Sequence, residues 1–91
     1  MLDNLKGFFD KDSKLKTWSS RKHREKQLAV LEYLATKFET GKNYSEKEVN
    51  QILNQNHTFG DPALLRRELY TVGFLDRTQD GSRYWLQKKA E

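Results

Sequence analysis

The stretch Ser45–Leu86 constrains this chain more than any other, because three local signals follow one another there in a fixed order. The first is Tyr-Ser-Glu-Lys-Glu-Val-Asn, which sets Ser45 three residues ahead of Glu48. That is the spacing of a capping box, in which each side chain accepts from a backbone N–H that a helix start leaves unpaired. Val49, Ile52 and Leu53 then recur at helical spacing until about Asn54–Asn56, and Tyr44 precedes the cap where it can staple the first turn. The second signal is a turn over His57 to Gly60, with Asp61 as cap, Pro62 as the first helical residue and Gly73 as the end. The third is Asp80-Gly81 between Phe74–Thr78 and Arg83–Leu86, a pairing of turn and strand composition that predicts a hairpin.

Helix, turn, helix and ribbon in that order predict a winged helix-turn-helix of mainly α, α+β class. Three helices and a two- to three-stranded β-wing are expected, with Tyr44 and its neighbours available as a short third strand. The first helix is expected to run from a cap at Ser19 or Ser20 to about Phe38. Its buried stripe would hold Leu28, Leu31, Leu34, Ala35 and Phe38, and Gly41 would close it in a left-handed conformation. Lys22, Lys26, Ala29, Tyr33 and Lys37 share another face, readable as wet surface or as a contact face for an arm or a partner.

Residues 1–20 show no sustained period, but Phe8, Phe9, Leu15 and Trp18 make this arm too apolar for a free tail. It is expected to pack on the domain or on a second subunit, and the sequence does not choose between them. The division expected is thus an arm over 1–20, a winged-helix domain over 21–87 and a frayed end over 88–91. Ninety-one residues leave room for one core, and an aromatic content of 12% argues against disorder.

Several function classes fall away. There is no cysteine for a disulfide, a thiolate metal site or a nucleophile, and no long apolar run to cross a membrane. The opening Met-Leu-Asp-Asn-Leu-Lys-Gly-Phe-Phe lacks a signal-peptide pattern, so a cytoplasmic location is expected. His23 and His57 are the two histidines and lie far apart, with no glycine-rich phosphate loop and no nucleophile elbow elsewhere. A turn histidine such as His57 reads as a surface or capping residue. Glu46 and Glu48 suit the positive end of a helix dipole and need no acid–base role. No catalytic residue, metal or cofactor is expected.

The charge points elsewhere. Net charge is +4, and residues 11–26 concentrate it: Lys11, Lys14, Lys16, Arg21, Lys22, Arg24 and Lys26 stand against Asp12 and Glu25. Such a block suits a phosphate backbone, or simply a solvated helix start. On the helix 62–72, Ala63, Arg66, Arg67 and Tyr70 lie opposite or beside the buried stripe of Leu65, Leu69 and Val72. A small residue followed by long forked donors is what a helix needs to enter a major groove. Arg77 and Arg83 would add wing contacts, and Arg21, Lys22 and Lys26 would neutralise backbone. The expectation is therefore a double-stranded DNA-binding transcriptional regulator using helix 62–72 and the wing 76–84. The alternative is a protein-interaction or dimerisation module without DNA contact, with a homodimer built through the arm or first helix. Equally, Arg66 or Arg67 would pair with Glu68, Asp61 or an acid on the neighbouring helix, as on any amphipathic surface helix. RNA binding would require Trp85 to face outward, whereas a core role is expected for it.

The segments LKTWSSRK, YLATKFETGKNYSEKEVNQIL and DPALLRRELYTVGFLDRTQDGSRYW together resemble a bacterial family, domain of unknown function 2087, over about residues 8 to 86. The family pattern falls on Tyr44, Glu46, Glu48 and Asn50, then on Leu65, Arg66, Arg67, Glu68 and Leu69. It continues on Gly73, Leu75, Arg77, Asp80, Gly81 and Tyr84. The resemblance implies a winged helix and, since some members are fused behind ArsR-type regulator domains, a transcription-associated role. It brings no established activity. This chain departs from the pattern at Ser13, where a glycine is frequent, and at Ser19 or Ser20, where a proline is.

Overall fold

In a computed structural model describing residues 7–12, 14–18 and 21–87, the elements run α1 (Arg24–Ala35), β1 (Asn43–Tyr44), α2 (Glu46–Asn54), α3 (Pro62–Val72), β2 (Leu75–Arg77) and β3 (Tyr84–Leu86). The capping box forms as its spacing requires: the Glu48 N–H donates to Ser45 Oγ at 3.1 Å and the Ser45 N–H to Glu48 Oε1 at 2.8 Å. Asp61 caps α3 by accepting from the Leu64 N–H at 3.1 Å, with Pro62 at its first position. Gly73 ends it at φ 92°, a left-handed conformation that costs a side-chain-bearing residue about 1–2 kcal/mol.

The three strands form one antiparallel sheet in the order β1-β3-β2, with Tyr44 opposite Tyr84 and Leu75 opposite Leu86. Three helices with a ribbon, joined by a strand from between the first two helices, give the small α+β layout expected, that of a winged helix. The core is a leucine cluster: Leu31, Leu34, Leu53, Leu65, Leu69 and Leu75 have no more than 1% exposure. Full burial of such a side chain is worth about 1.5–3 kcal/mol.

The first helix departs from expectation. It is shorter, preceded by a 3-10 turn over Arg21–His23, and His23 stands at its cap; the expected caps Ser19 and Ser20 lie outside the described residues. It ends at Ala35, so Gly41, although at φ 81°, lies in a later turn and does not close it. Leu28 is 38% exposed, while Gln27 and Val30 are buried. The buried stripe therefore keeps Leu31, Leu34 and Ala35 and takes in Gln27 and Val30 in place of Leu28. Gln27 tolerates the interior because the Arg24 guanidinium donates to its Oε1 at 2.7 Å, which offsets the cost of burying an amide.

The arm packs on its own domain. Asp10 turns it, accepting from the N–H groups of Asp12 and Lys14 at 2.9 Å each, and Phe9 pairs with Leu15. The Lys14 N–H above all, helped by that of Asp12, holds the Asp10 carboxyl below its ordinary range. Leu15 then runs parallel to the turn between α2 and α3: its N–H donates to the Asn56 carbonyl at 2.7 Å and its carbonyl accepts from Thr58 at 2.9 Å. Its side chain has 0% exposure. Phe9 meets Tyr33 edge-on at 5.2 Å, so the α1 face left open above is covered here by the arm. The expected frayed end, residues 88–91, lies outside the described residues.

His57, read as a surface or capping residue, is 4% exposed. It caps from inside. Nδ1 lies 2.6 Å from the Leu53 carbonyl and Nε2 accepts from the Asp61 N–H at 2.9 Å, so the proton sits on Nδ1. One ring thereby joins the end of α2 to the cap of α3.

Candidate nucleic-acid interface

The outer side of α3 and the inner side of the wing enclose an open groove of about 310 Å³. Five of the residues singled out above line it: Ala63, Arg66, Arg67, Tyr70 and Arg77. Spacing along α3 brings Ala63, Arg67 and Tyr70 to one exposed face, and Tyr70 is 41% exposed.

The two arginines divide. Arg66 leans against α2, donating to Asn50 Oδ1 at 2.5 Å with Glu46 Oε1 3.9 Å away, and its side chain is 18% exposed. Of the two roles expected for it, contact with a groove or pairing with an acid on the neighbouring helix, Arg66 takes the second. Glu46 and Asn50 are four residues apart on α2, so one face of that helix presents both to α3. The Arg66–Glu46 pair is long and half wet, worth at most about 1 kcal/mol. Arg67 is exposed and, among the described residues, has neither hydrogen bond nor ion pair. It is the guanidinium of α3 that remains available to a partner.

The wing is held rather than free. The Arg77 guanidinium lies 4.7 Å over the Tyr70 ring and donates to the carbonyls of Thr78 and Gln79 at 3.1 and 3.2 Å. Expected at the wing's outer reach, Arg77 instead folds back and fastens β2 to α3. Arg83 is exposed and projects from the wing outside the groove. Asp80 is engaged within the turn, accepting from Thr78 Oγ1 at 2.8 Å and the Ser82 N–H at 3.0 Å, and its negative charge still offsets part of the positive charge of the wing arginines. The Ser82 hydroxyl and N–H, then the Thr78 hydroxyl, hold the Asp80 carboxyl down at about 2.

Two further expected residues lie apart from the groove. Lys22 is exposed just before α1, and Lys26 sits one turn on with its ammonium 5.9 Å from the Phe8 ring; the side chain of Arg21 lies outside what is described. Between this region and α3, Arg24 Nη1 meets Glu68 Oε1 at 3.1 Å, so Glu68 pairs across to α1 and not with its neighbours Arg66 or Arg67. Trp85, assigned to the core above, is half-buried, on the sheet face opposite the buried Tyr84.

The family profile described as an uncharacterized protein conserved in bacteria, DUF2087, matches residues 14–86. The chain belongs to the DUF2087 family. No curated protein and no solved structure matches it. The matched span begins at Lys14, so the DUF2087 unit includes the buried Leu15 strand together with α1–α3 and the sheet. Within that unit Glu46, Asn50 and Arg66, on which the family resemblance falls, form one cluster joining α2 to α3. The sequence offered an acid on the neighbouring helix as one partner for Arg66 but gave no sign of Asn50. No described helix is long and apolar enough to cross a membrane.

Proposed function

We propose that this protein binds double-stranded DNA, as a transcriptional regulator, by laying the Ala63–Arg67–Tyr70 face of α3 into the major groove. The observation that supports this reading most is the contrast on α3: Arg66 is tied down toward α2 while Arg67, beside a small residue, is exposed without an internal partner. A forked donor held on a rigid helix is suited to the O6/N7 edge of guanine. The Arg77–Tyr70 stack keeps the wing beside that face, and Arg83 on its outer side reaches backbone. The reading assigns the protein no chemical step.

Fluorescence polarisation with duplex DNA over a salt series tests it. Neutralising about six phosphates should cost on the order of a thousandfold in affinity between 50 and 200 mM salt. Arg67→Ala should lose about 1–3 kcal/mol of discrimination at one base pair. A protein that does not bind duplex DNA at low salt would end this reading.

A pair of copies on adjacent half-sites is the companion proposal, favoured by the exposure of Leu28 on α1. Sedimentation equilibrium with Leu28→Glu tests it, a monomer for the unaltered chain being the result against it.

A further inference from the structure

The arm carries a surface that the α3 reading leaves unused. Leu15 points into the core and pairs with His57, which is also buried, so the residues on either side of both turn the other way. Lys14 and Lys16 therefore share the outward side with Asn56 and Thr58, which lies three residues before the α3 cap. Backbone bonds fix the placement, since the arm is hydrogen-bonded to Asn56 and Thr58 themselves. Lys16 also donates its N–H to the Phe8 carbonyl at 2.7 Å, and the Lys26 ammonium lies over the Phe8 ring. Arm and α1 thus bring Lys14, Lys16 and Lys26 to one neighbourhood beside the turn. The acidic groups nearby are Asp10 and Asp12 on the arm and Glu25 on α1; Asp10 accepts from backbone N–H groups and, still negative, lies within electrostatic reach of Lys14 and Lys16.

Resting on the DNA reading above, we propose that Lys14 and Lys16, with Lys26 behind them, form a clamp for the phosphodiester backbone of the duplex strand that passes the start of α3. The lysines act as point charges on phosphate, and sequence is left to Arg67. The turn between the two helices is thereby the seat of a second backbone contact, at the start of α3. The arm serves as a strap whose inner side completes the core and whose outer side holds DNA.

The test compares Lys14→Gln/Lys16→Gln with Lys37→Gln/Lys42→Gln, which removes the same charge at the far end of α1, by polarisation on one duplex from 50 to 200 mM salt. Each lost phosphate contact lowers the salt slope by about 0.9. The arm variant should therefore show a loss of affinity over that salt range about tenfold smaller than the unaltered protein shows. Its preference among duplex sequences should not change. The control should keep the full slope. Equal slopes for both variants would overturn the clamp while leaving the α3 reading intact. Absence of binding by the unaltered protein would remove both. Thermal melts of the two variants separate loss of contact from loss of fold, a small drop being expected for the control because Lys37 lies 4.7 Å over Tyr33 and Lys42 5.1 Å over Tyr44.

Discussion

The arm and the wing are both short antiparallel ribbons, the arm fastened to α1 and the inter-helix turn and the wing to α3, yet they are fastened by different forces. The arm is anchored by a leucine with no exposure and by two backbone hydrogen bonds to the inter-helix turn. The wing tip is anchored by polar side chains: Asp80, Thr78 and Ser82 within the turn, and Arg77 over Tyr70. Apolar burial is insensitive to pH and salt, whereas charged hydrogen bonds at the surface respond to both. The arm is therefore held through the core, whereas the wing is anchored in the core at Leu75 and Tyr84 but adjustable at its tip.

Leu15→Ala should break the arm's side of this contrast with the largest effect, destabilising the protein by about 2–5 kcal/mol in urea denaturation. A cost under 1 kcal/mol would mean that the arm merely rests on the domain. Next, His57→Ala leaves the Asp61 N–H without its acceptor and takes one of two donors from the Leu53 carbonyl, which keeps the Asn56 N–H at 2.9 Å, and should cost about 1–3 kcal/mol, read from the same curves. Tyr70→Leu takes away the ring beneath Arg77 and should cost about 0.5–1 kcal/mol while raising amide exchange in Thr78–Arg83 and not in the arm. Equal exchange changes in both ribbons would argue that they are coupled after all.

The smallest effect is a pH response confined to the wing. The folded Asp80 carboxyl gives up its proton more readily than an unfolded one, at about 2 against an ordinary 3.8. Its contribution is complete above pH 3.8 and disappears as pH falls through about 2. The amide resonances of Ser82 and Arg83 should titrate together in that window, and Asp80→Asn should abolish the transition. A transition centred near 3.8 would show that the turn does not hold the carboxylate.

What the sequence made legible was local. Ser45 with Glu48, Asp61 with Pro62, and Gly73 each act within four residues of themselves, and each appears where its spacing placed it. The first helix was harder to read, because Leu28 outranks Gln27 on any hydrophobic scale and hydropathy does not show the Arg24 bond that helps the amide into the interior. The candidate site divided in the same way. Helical spacing located the Ala63–Arg67–Tyr70 face, but the difference between Arg66 and Arg67 depends on Asn50, sixteen residues away on another helix. The arm was expected to pack, but its bonds to the inter-helix turn join segments distant along the chain, and the two bonds of His57, each spanning four residues, follow no spacing rule that the sequence displays.

The Leu15 strand has a consequence for what counts as the smallest self-sufficient piece of this protein. A fragment cut after Trp18 would keep every helix and the whole ribbon, yet it would bare the seam between α1 and the inter-helix turn and leave the Asn56 carbonyl and Thr58 N–H to solvent. Its natural remedy is to borrow the missing strand from another molecule, so trimming the amino-terminal end should produce intertwined assemblies or precipitate instead of a tidier domain.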